Sequence, residues 1–329
     1  MTVAPETTAC TPQAAGLFAE DFARLVNNVE LAVVGKTRCV RLALSCLFTG
    51  GHLLLEDVPG TGKTSLAKAI ARTVKGEHRR VQFTPDLLPS DVTGGNVYSP
   101  QTGQLSVRPG PIFTNILLAD EINRASPKTQ SALLQAMEEE QVTIDGVNYP
   151  LELPFMVIAT QNPIEQAGTY PLPEAQLDRF LIRTELGYPD AQATTRLLAE
   201  AAHRDRSTLI APLITPTGVV ERSRLVAGVH VDPAVLAYIS AIAEETRRAK
   251  GVKIGVSVRG CLSLVRLAKT WAAAQGRHYV LPDDVLELAV PALAHRVVLD
   301  VEAEFSGTTA VGVIERVLSV VPAPAFRSS

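Results

Sequence analysis

Between Leu17 and about Gly187 the chain alternates short apolar runs with stretches whose apolar residues recur every three or four positions. The runs HLLLE (52–56), RRVQF around Val81, NILLAD (115–120) and FMVIAT (155–160) have the length and continuity of strands buried on both faces. Between them, SLAKAIARTV places Leu66, Ile70 and Val74 on one helical face, and Ser126-Pro127 form an N-cap and first-turn pair that opens the helix PKTQSALLQAMEEE. Strand–helix alternation of this kind predicts an α/β domain with a parallel sheet covered by helices. After the long helix, QVTIDGVNYPLEL reads as two strands about the turn pair Asp145-Gly146.

The pattern changes after GYPD (187–190). Helical stretches then dominate: AQATTRLLAEAAHR, DPAVLAYISAIAEETRRA, RGCLSLVRLAKTWAAAQ and PDDVLELAVPALAHRVVL. A boundary near 188 therefore separates an α/β domain (17–188) from a small all-helical domain (189–320). Residues 1–16 read as a disordered arm without the basic start and apolar core of a signal peptide, and 321–329 as a frayed tail.

Composition narrows the class. With 329 residues, 46% of them hydrophobic, the chain is long enough for two packed domains. The near balance of 31 Lys+Arg against 34 Asp+Glu gives no overall footprint for a polyanion. Cys10, Cys39, Cys46 and Cys261 form no C-x-x-C and no metal-type spacing with the six histidines, as expected of incidental thiols in a reducing compartment. No run approaches the roughly 18 apolar residues of a membrane span, so a cytoplasmic protein is expected.

The candidate chemistry begins at EDVPGTGKTS (56–65). It follows an apolar strand and opens a helix, which is the context a phosphate-binding loop requires, although Asp57 replaces the usual first glycine. Gly60, Thr61, Gly62 and Lys63 are placed to surround phosphate with backbone N–H groups and one ammonium, and Thr64 to reach a metal. Asp57 would repel phosphate if it faced inward, so it is expected to point away. NILLADE ends in adjacent acids: Asp120 to hold Mg²⁺, and Glu121 to orient or deprotonate a water. VIATQNP ends in a polar tip whose amide, Asn162, can hold that water. Arg179, in LPEAQLDRFL, reads either as an ion-pair partner of Asp178 or as a cation given to a neighbour's phosphate. Arg259 starts a helix of the second domain, as a solvated charge or as a second contact to the nucleotide.

Taken in order, VVGK, PGTGKTSLAKAIA, ADEINRASPKTQSALLQAMEE, VIATQNPIEQAGTYPLPEAQLDRF and GRHYVLPDDVLELAVPALAHR resemble the AAA+ ATPases, specifically the MoxR family, from about residue 20 to about 320. The resemblance implies an AAA+ P-loop NTPase domain followed by a small all-helical lid, with ATP and Mg²⁺ as cofactors. It places Val34 and Gly35 against adenine, and Pro59, Gly60, Thr61, Gly62, Lys63, Thr64 and Ser65 around the phosphates, with Thr64 and Asp120 on the metal. Asp120 and Glu121 become the Walker B pair, Asn162 sensor 1, Arg179 an arginine finger acting in trans, and Arg259 sensor 2, in cis or in trans. Residues 84–110 would hold the helix-2 insert and 141–153 the hairpin before sensor 1, both lining a ring's central face. The extra helix of this clade would fall in 189–231. Two departures stand out: Ser257-Val258-Arg259 where members show S-P-R, and Asp57, where the family implies that an acid is tolerated.

By the same resemblance the protein is a ring oligomer, most simply a hexamer. It would be a chaperone-like ATPase acting on protein complexes with a partner that carries a von Willebrand factor A domain. A nucleic-acid motor would call for basic pore hairpins, and QVTIDGVNYPLEL has no Lys or Arg. A metal-chelatase motor subunit belongs to the same broad clade. An ATP-binding scaffold has no need of a water-activating acid such as Glu121.

Overall fold

A computed structural model of the chain describes residues 9–57, 60–100, 104–162, 169–199 and 205–324. It divides into two compact units, one of residues 25–180 and 184–220, the other of residues 221–329 together with those up to Arg24 and 181–183.

As far as residue 227 the chain runs through a sheet whose central strands the hydrophobic runs predict, with residues up to 24, 181–183 and 221–227 of this stretch falling in the other unit. In chain order come α1 (Pro12–Glu30), α2 (Thr37–Phe48), β1 (Leu53–Glu56), α3 (Lys63–Thr73), β2 (His78–Gln82), α4 (Pro89–Thr93), β3 (Gly94–Ser99), β4 (Gln104–Pro109), β5 (Ile116–Asp120), α5 (Pro127–Glu139), β6 (Gln141–Ile144), β7 (Val147–Pro150), β8 (Met156–Gln161), α6 (Glu174–Leu177), β9 (Ile182–Thr184), α7 (Ala191–Ala199) and α8 (Pro216–Ala227). The main sheet has the order β2-β5-β8-β1-β9. Pairing is parallel between β2 and β5, β5 and β8, and β8 and β1. Every residue of β5 is buried, as are all of β1 and β8 except their last. Such strands need helices on both faces, and α3 supplies Leu66, Ala67 and Ile70 while α5 supplies Leu133, Leu134 and Met137. α5 starts where the Ser126-Pro127 pair predicts: the Ser126 hydroxyl accepts the N–H of Thr129 at 3.4 Å. Two hairpins stand apart from the sheet, β3–β4 and β6–β7, the latter turning at Asp145-Gly146 with both residues at positive φ.

The second unit contains α9 (Pro233–Arg248), β10 (Val252–Ile254), α10 (Val258–Ala273), α11 (Pro282–Leu293), β11 (Val298–Leu299), α12 (Val301–Phe305) and α13 (Ala310–Val320). Asp232, Ser257, Asp300 and Thr309 cap α9, α10, α12 and α13 through their side chains, which is why these helices start at those positions. Trp271, fully buried, donates its indole N–H to Glu287 at 3.1 Å, and Arg277 grips the buried Asp284 through two nitrogens at 2.8 and 2.6 Å.

Three expectations need correction. The N-terminal arm does not extend to residue 16: α1 begins at Pro12, and buried Cys10 donates its N–H to the Gly228 carbonyl at 3.0 Å. The helical unit is not all-helical, because β10 and β11 pair antiparallel within it. Nor do the compact units divide near 188. Residues 184–220 remain with the sheet, since Asn28 Nδ2 holds the Ala211 carbonyl at 2.8 Å and Thr73 Oγ1 at 2.9 Å, and Arg72 Nη1 holds the Ser207 carbonyl at 2.5 Å. Part of the tail, 325–329, lies outside the described residues.

His52 ties α5 to the sheet. Fully enclosed, its Nδ1 accepts the Val157 N–H and its Nε2 donates to the Met137 carbonyl, each at 3.0 Å. Burial depresses its pKa from 6.5 to about 4, because the charged ring would lose its hydration. The unfolded chain therefore binds this proton first as the pH falls. The associated stability is complete above about pH 6.5 and is lost between there and about pH 4, on the order of 3 kcal/mol. Urea unfolding at pH 7.5, 5.5 and 4.5 should show this loss in the wild type and a shallower one in His52→Gln.

Candidate active site

The turn from β1 into α3 is set by two glycines. Gly60 (φ 87°) and Gly62 (φ 101°) lie in the left-handed region, where a side chain would strain the backbone. Gly62 is also the N-cap of α3 and supplies no capping side chain. The first-turn N–H groups of this eleven-residue helix thus carry the positive end of its dipole towards an anion. Lys63 opens the helix, and its Nζ donates to the backbone carbonyl of Asp57 at 3.1 Å.

Asp57 is buried and does not line the cavity described below. Its carboxylate accepts the N–H groups of Leu186 and, at 3.0 Å, Gly187. Its own N–H goes to the Gln161 carbonyl at 3.1 Å. The acid at the position of the usual glycine is thus spent on the loop after β9. Cys39 registers the same charge: its thiol is pushed up to about 12, first by burial and then by Asp57, with Lys36 opposing.

A cavity of about 360 Å³ opens at the C-terminal ends of the strands, lined by Gly60, Gly62, Lys63, Thr64, Arg80, Gln82, Asp120, Glu121 and Asn162. Parallel register puts these residues together. Ala119 pairs with Ala159, so Asp120 and Thr160 follow side by side, and the Thr160 hydroxyl donates to Asp120 Oδ1 at 2.6 Å while accepting the Glu121 N–H at 2.9 Å. Glu121 holds φ 56° and ψ 50°, an uncommon backbone for a non-glycine residue that functional sites favour. Its Oε2 accepts Gln82 Nε2 at 2.9 Å and Arg124 Nη1 at 3.0 Å. Among the described residues no group of three or more His, Cys, Asp or Glu is placed to hold a metal. Thr64 and Asp120 instead offer the one or two hard oxygen ligands of a Mg²⁺ that keeps its waters and takes the rest of its shell from phosphates. The site therefore fits a nucleotide with its cation.

Known proteins resemble this chain over most of its length. A family profile described as "ATPase family associated with various cellular activities (AAA)" matches residues 52–182, and an "AAA lid domain" profile matches 244–317. Chaperone MoxR1 of Mycobacterium tuberculosis is 39% identical over 94% of this chain and 85% of its own. The chain belongs to the MoxR family of AAA+ ATPases. YeaC of Bacillus subtilis, an uncharacterised protein, is 45% identical over 93% of this chain and 96% of its own. A candidate ATPase from Cytophaga hutchinsonii, solved by crystallography, superposes with a TM-score of 0.88 at 37% identity, covering 95% of this chain and 98% of that one.

Of the residues that the MoxR resemblance marks, Gly60, Gly62, Lys63, Thr64, Asp120, Glu121 and Asn162 meet in the cavity. Thr61 is buried in the loop and Ser65 sits in the first turn of α3, neither on the cavity wall; Pro59 lies outside the described residues. Val34 is buried, and Gly35 (φ 73°) packs so close to Ala193 that a Cβ would stand 2.8 Å from it. Arg179 lies elsewhere on the sheet unit. It pairs with Glu138 at 3.0 Å, donates to the Leu134 carbonyl, and borders a separate pocket of about 300 Å³. Its ion pair is with Glu138 of α5; the sequence left open an ion pair with Asp178 or a cation given to a neighbour's phosphate. Arg259 stands exposed in the first turn of α10, on the helical unit. Arg80, Gln82 and Thr160 escaped the sequence reading. Arg80 and Gln82 are alternate polar residues of a strand, a signal that means little until β2 is known to lie beside β5.

Asp57→Gly, which restores the usual loop glycine, should lower stability by about 1–3 kcal/mol by orphaning the buried N–H of Leu186 and the half-buried N–H of Gly187. Asp57→Asn, which keeps one acceptor, should lose less. Denaturant unfolding without nucleotide compares the two.

Proposed function

We propose that this MoxR-family protein is an ATP-hydrolysing, ring-forming machine of the cytoplasm that remodels protein complexes. The observation that carries the reading is the cavity in which an uncapped helix N-terminus, Lys63, Thr64, Asp120, Glu121 and Asn162 converge. Lys63 and the α3 amides bind and orient the phosphates; Thr64 and Asp120 hold the cation. Glu121, at the end of β5, takes a proton from the attacking water, and Asn162, at the neighbouring tip of β8, orients that water. A bound Mg²⁺ supplies neutralisation of the charge that develops on the phosphoryl oxygens.

Arg179 fits a finger given to the next subunit, since it stands away from the cavity of its own chain. A site completed by a neighbour makes turnover depend on assembly, and a head-to-tail contact repeated around an axis closes as a ring. Arg259 is assigned to sensor 2 by the family pattern alone. The chaperone role, with a protein client and a von Willebrand factor A domain partner, follows the family. The uncharged-to-acidic hairpin β6–β7, without Lys or Arg, speaks against a nucleic-acid track. Among the described residues no helix is long and apolar enough to cross a membrane.

Glu121→Gln should retain ATP while losing about 10² or more in turnover. Captured from extract with ATP and Mg²⁺ and compared with Lys63→Ala, it should enrich a von Willebrand factor A domain protein and a client. Nuclease-sensitive DNA-processing proteins in their place would establish a motor. Turnover that Glu121→Gln leaves unchanged would overturn the assignment of Glu121, and a wild type that binds ATP without turning it over would leave a scaffold.

Arg179→Ala should bind ATP yet lose about 10³ in rate. Mixing it with Lys63→Ala should restore activity at about a quarter of the sites by random head-to-tail assembly; a mixture as inactive as its components would exclude action in trans.

A further inference from the structure

Strand β2 brings a cation to the acidic pair for which the hydrolytic scheme has no use. Arg80 and Gln82 stand on one face of the strand, two residues apart, and the parallel register sets Gln82 beside Asp120. Arg80 Nε and Nη2 both donate to Asp120 Oδ2, at 3.1 and 2.7 Å. The same Nη2 donates to Gln82 Oε1 at 3.1 Å, and Gln82 passes the contact on through its Nε2 to Glu121 Oε2 at 2.9 Å. The other oxygen of Asp120, Oδ1, holds the Thr160 hydroxyl.

The two partners differ in burial. The Asp120 side chain is 10% exposed and that of Arg80 48%. A carboxylate so enclosed requires a compensating cation. A guanidinium half in water can leave at small cost. A divalent cation on Asp120 competes for Oδ2, the oxygen that Arg80 now covers, and two cations in contact with one oxygen repel.

We propose that Arg80 is the resident counter-ion of the metal-binding carboxylate in the nucleotide-free protein, displaced by the divalent cation that arrives with the nucleotide, so that Arg80 sets the cation concentration at which nucleotide is held. The proposal rests on the reading of Asp120 as a metal residue. Arg80 is on this account a positioning residue: it holds the Asp120 carboxylate in place without a metal, and it is released to solvent when one binds.

The test is binding of a fluorescent, non-hydrolysable ATP analogue during a Mg²⁺ titration, in wild type, Arg80→Gln and Arg80→Lys, with affinity in EDTA measured alongside. Removing the competitor should lower the Mg²⁺ midpoint at least threefold in Arg80→Gln while the affinity in EDTA does not rise. Arg80→Lys, which keeps the charge but not the fork, should fall between the two and carries the test alone if Arg80→Gln does not fold. A wild type that requires Mg²⁺, with variants whose midpoints are unchanged or higher, overturns the proposal and leaves the site reading intact. A wild type that binds the analogue equally with Mg²⁺ and with EDTA overturns the metal role of Asp120 and the proposal with it.

Discussion

The parallel pairing of β8 between β1 and β5 is the constraint on which the rest depends. Parallel strands end on the same edge of a sheet, so three segments separated by tens of residues deliver their terminal polar groups to one place. β1 delivers the phosphate loop, β5 the acidic pair and β8 the amide of Asn162. A shift of one residue in β8 would turn Thr160 to the other face of the sheet, away from Asp120.

Charges in this site are compensated by the protein's own groups. Asp57 is held by two amides, Lys63 by a carbonyl, Asp120 by Arg80 and Thr160, and Glu121 by Gln82 and Arg124. Ions shielded from water need such partners. A nucleotide with its cation must then exchange contacts and not simply add them. Enclosed acids such as Asp120 are costly to leave bare, whereas partners with access to water, such as Arg80, are free to give way.

The loop after β9 shows how a departure from the family's loop pattern is absorbed. Asp57 stands at the end of β1 as an acceptor for backbone N–H groups that the sharp turn at Gly187 (φ 65°) leaves without a strand partner. The same turn returns residues 184–220 to the sheet unit, where Gly35 meets Ala193 and Asn28 meets Ala211. A glycine at 57 would suit the phosphate loop equally well and would leave that turn unanchored.

Strands β1, β2, β5 and β8, the helix start at Ser126, the hairpin at Asp145-Gly146, and the loop and acidic motifs were legible in the sequence, because each depends on periodicity, capping or turn chemistry within a few residues. The short β10–β11 ribbon was not, since β11 has only two residues and no local signal distinguishes it from coil. The division at 220, in place of 188, rests on contacts between residues more than a hundred positions apart, such as Asn28 with Ala211. The orientation expected for Asp57 followed from electrostatics, but its partners Leu186 and Gly187 did not. By itself the sequence determined which residues could bind phosphate, carry acid or cap a helix, since those are properties of residue type and near neighbours. Only the tertiary structure decided that Arg80 lies on Asp120 and Arg179 on Glu138, because strand order and helix packing bring together side chains that no short-range pattern relates.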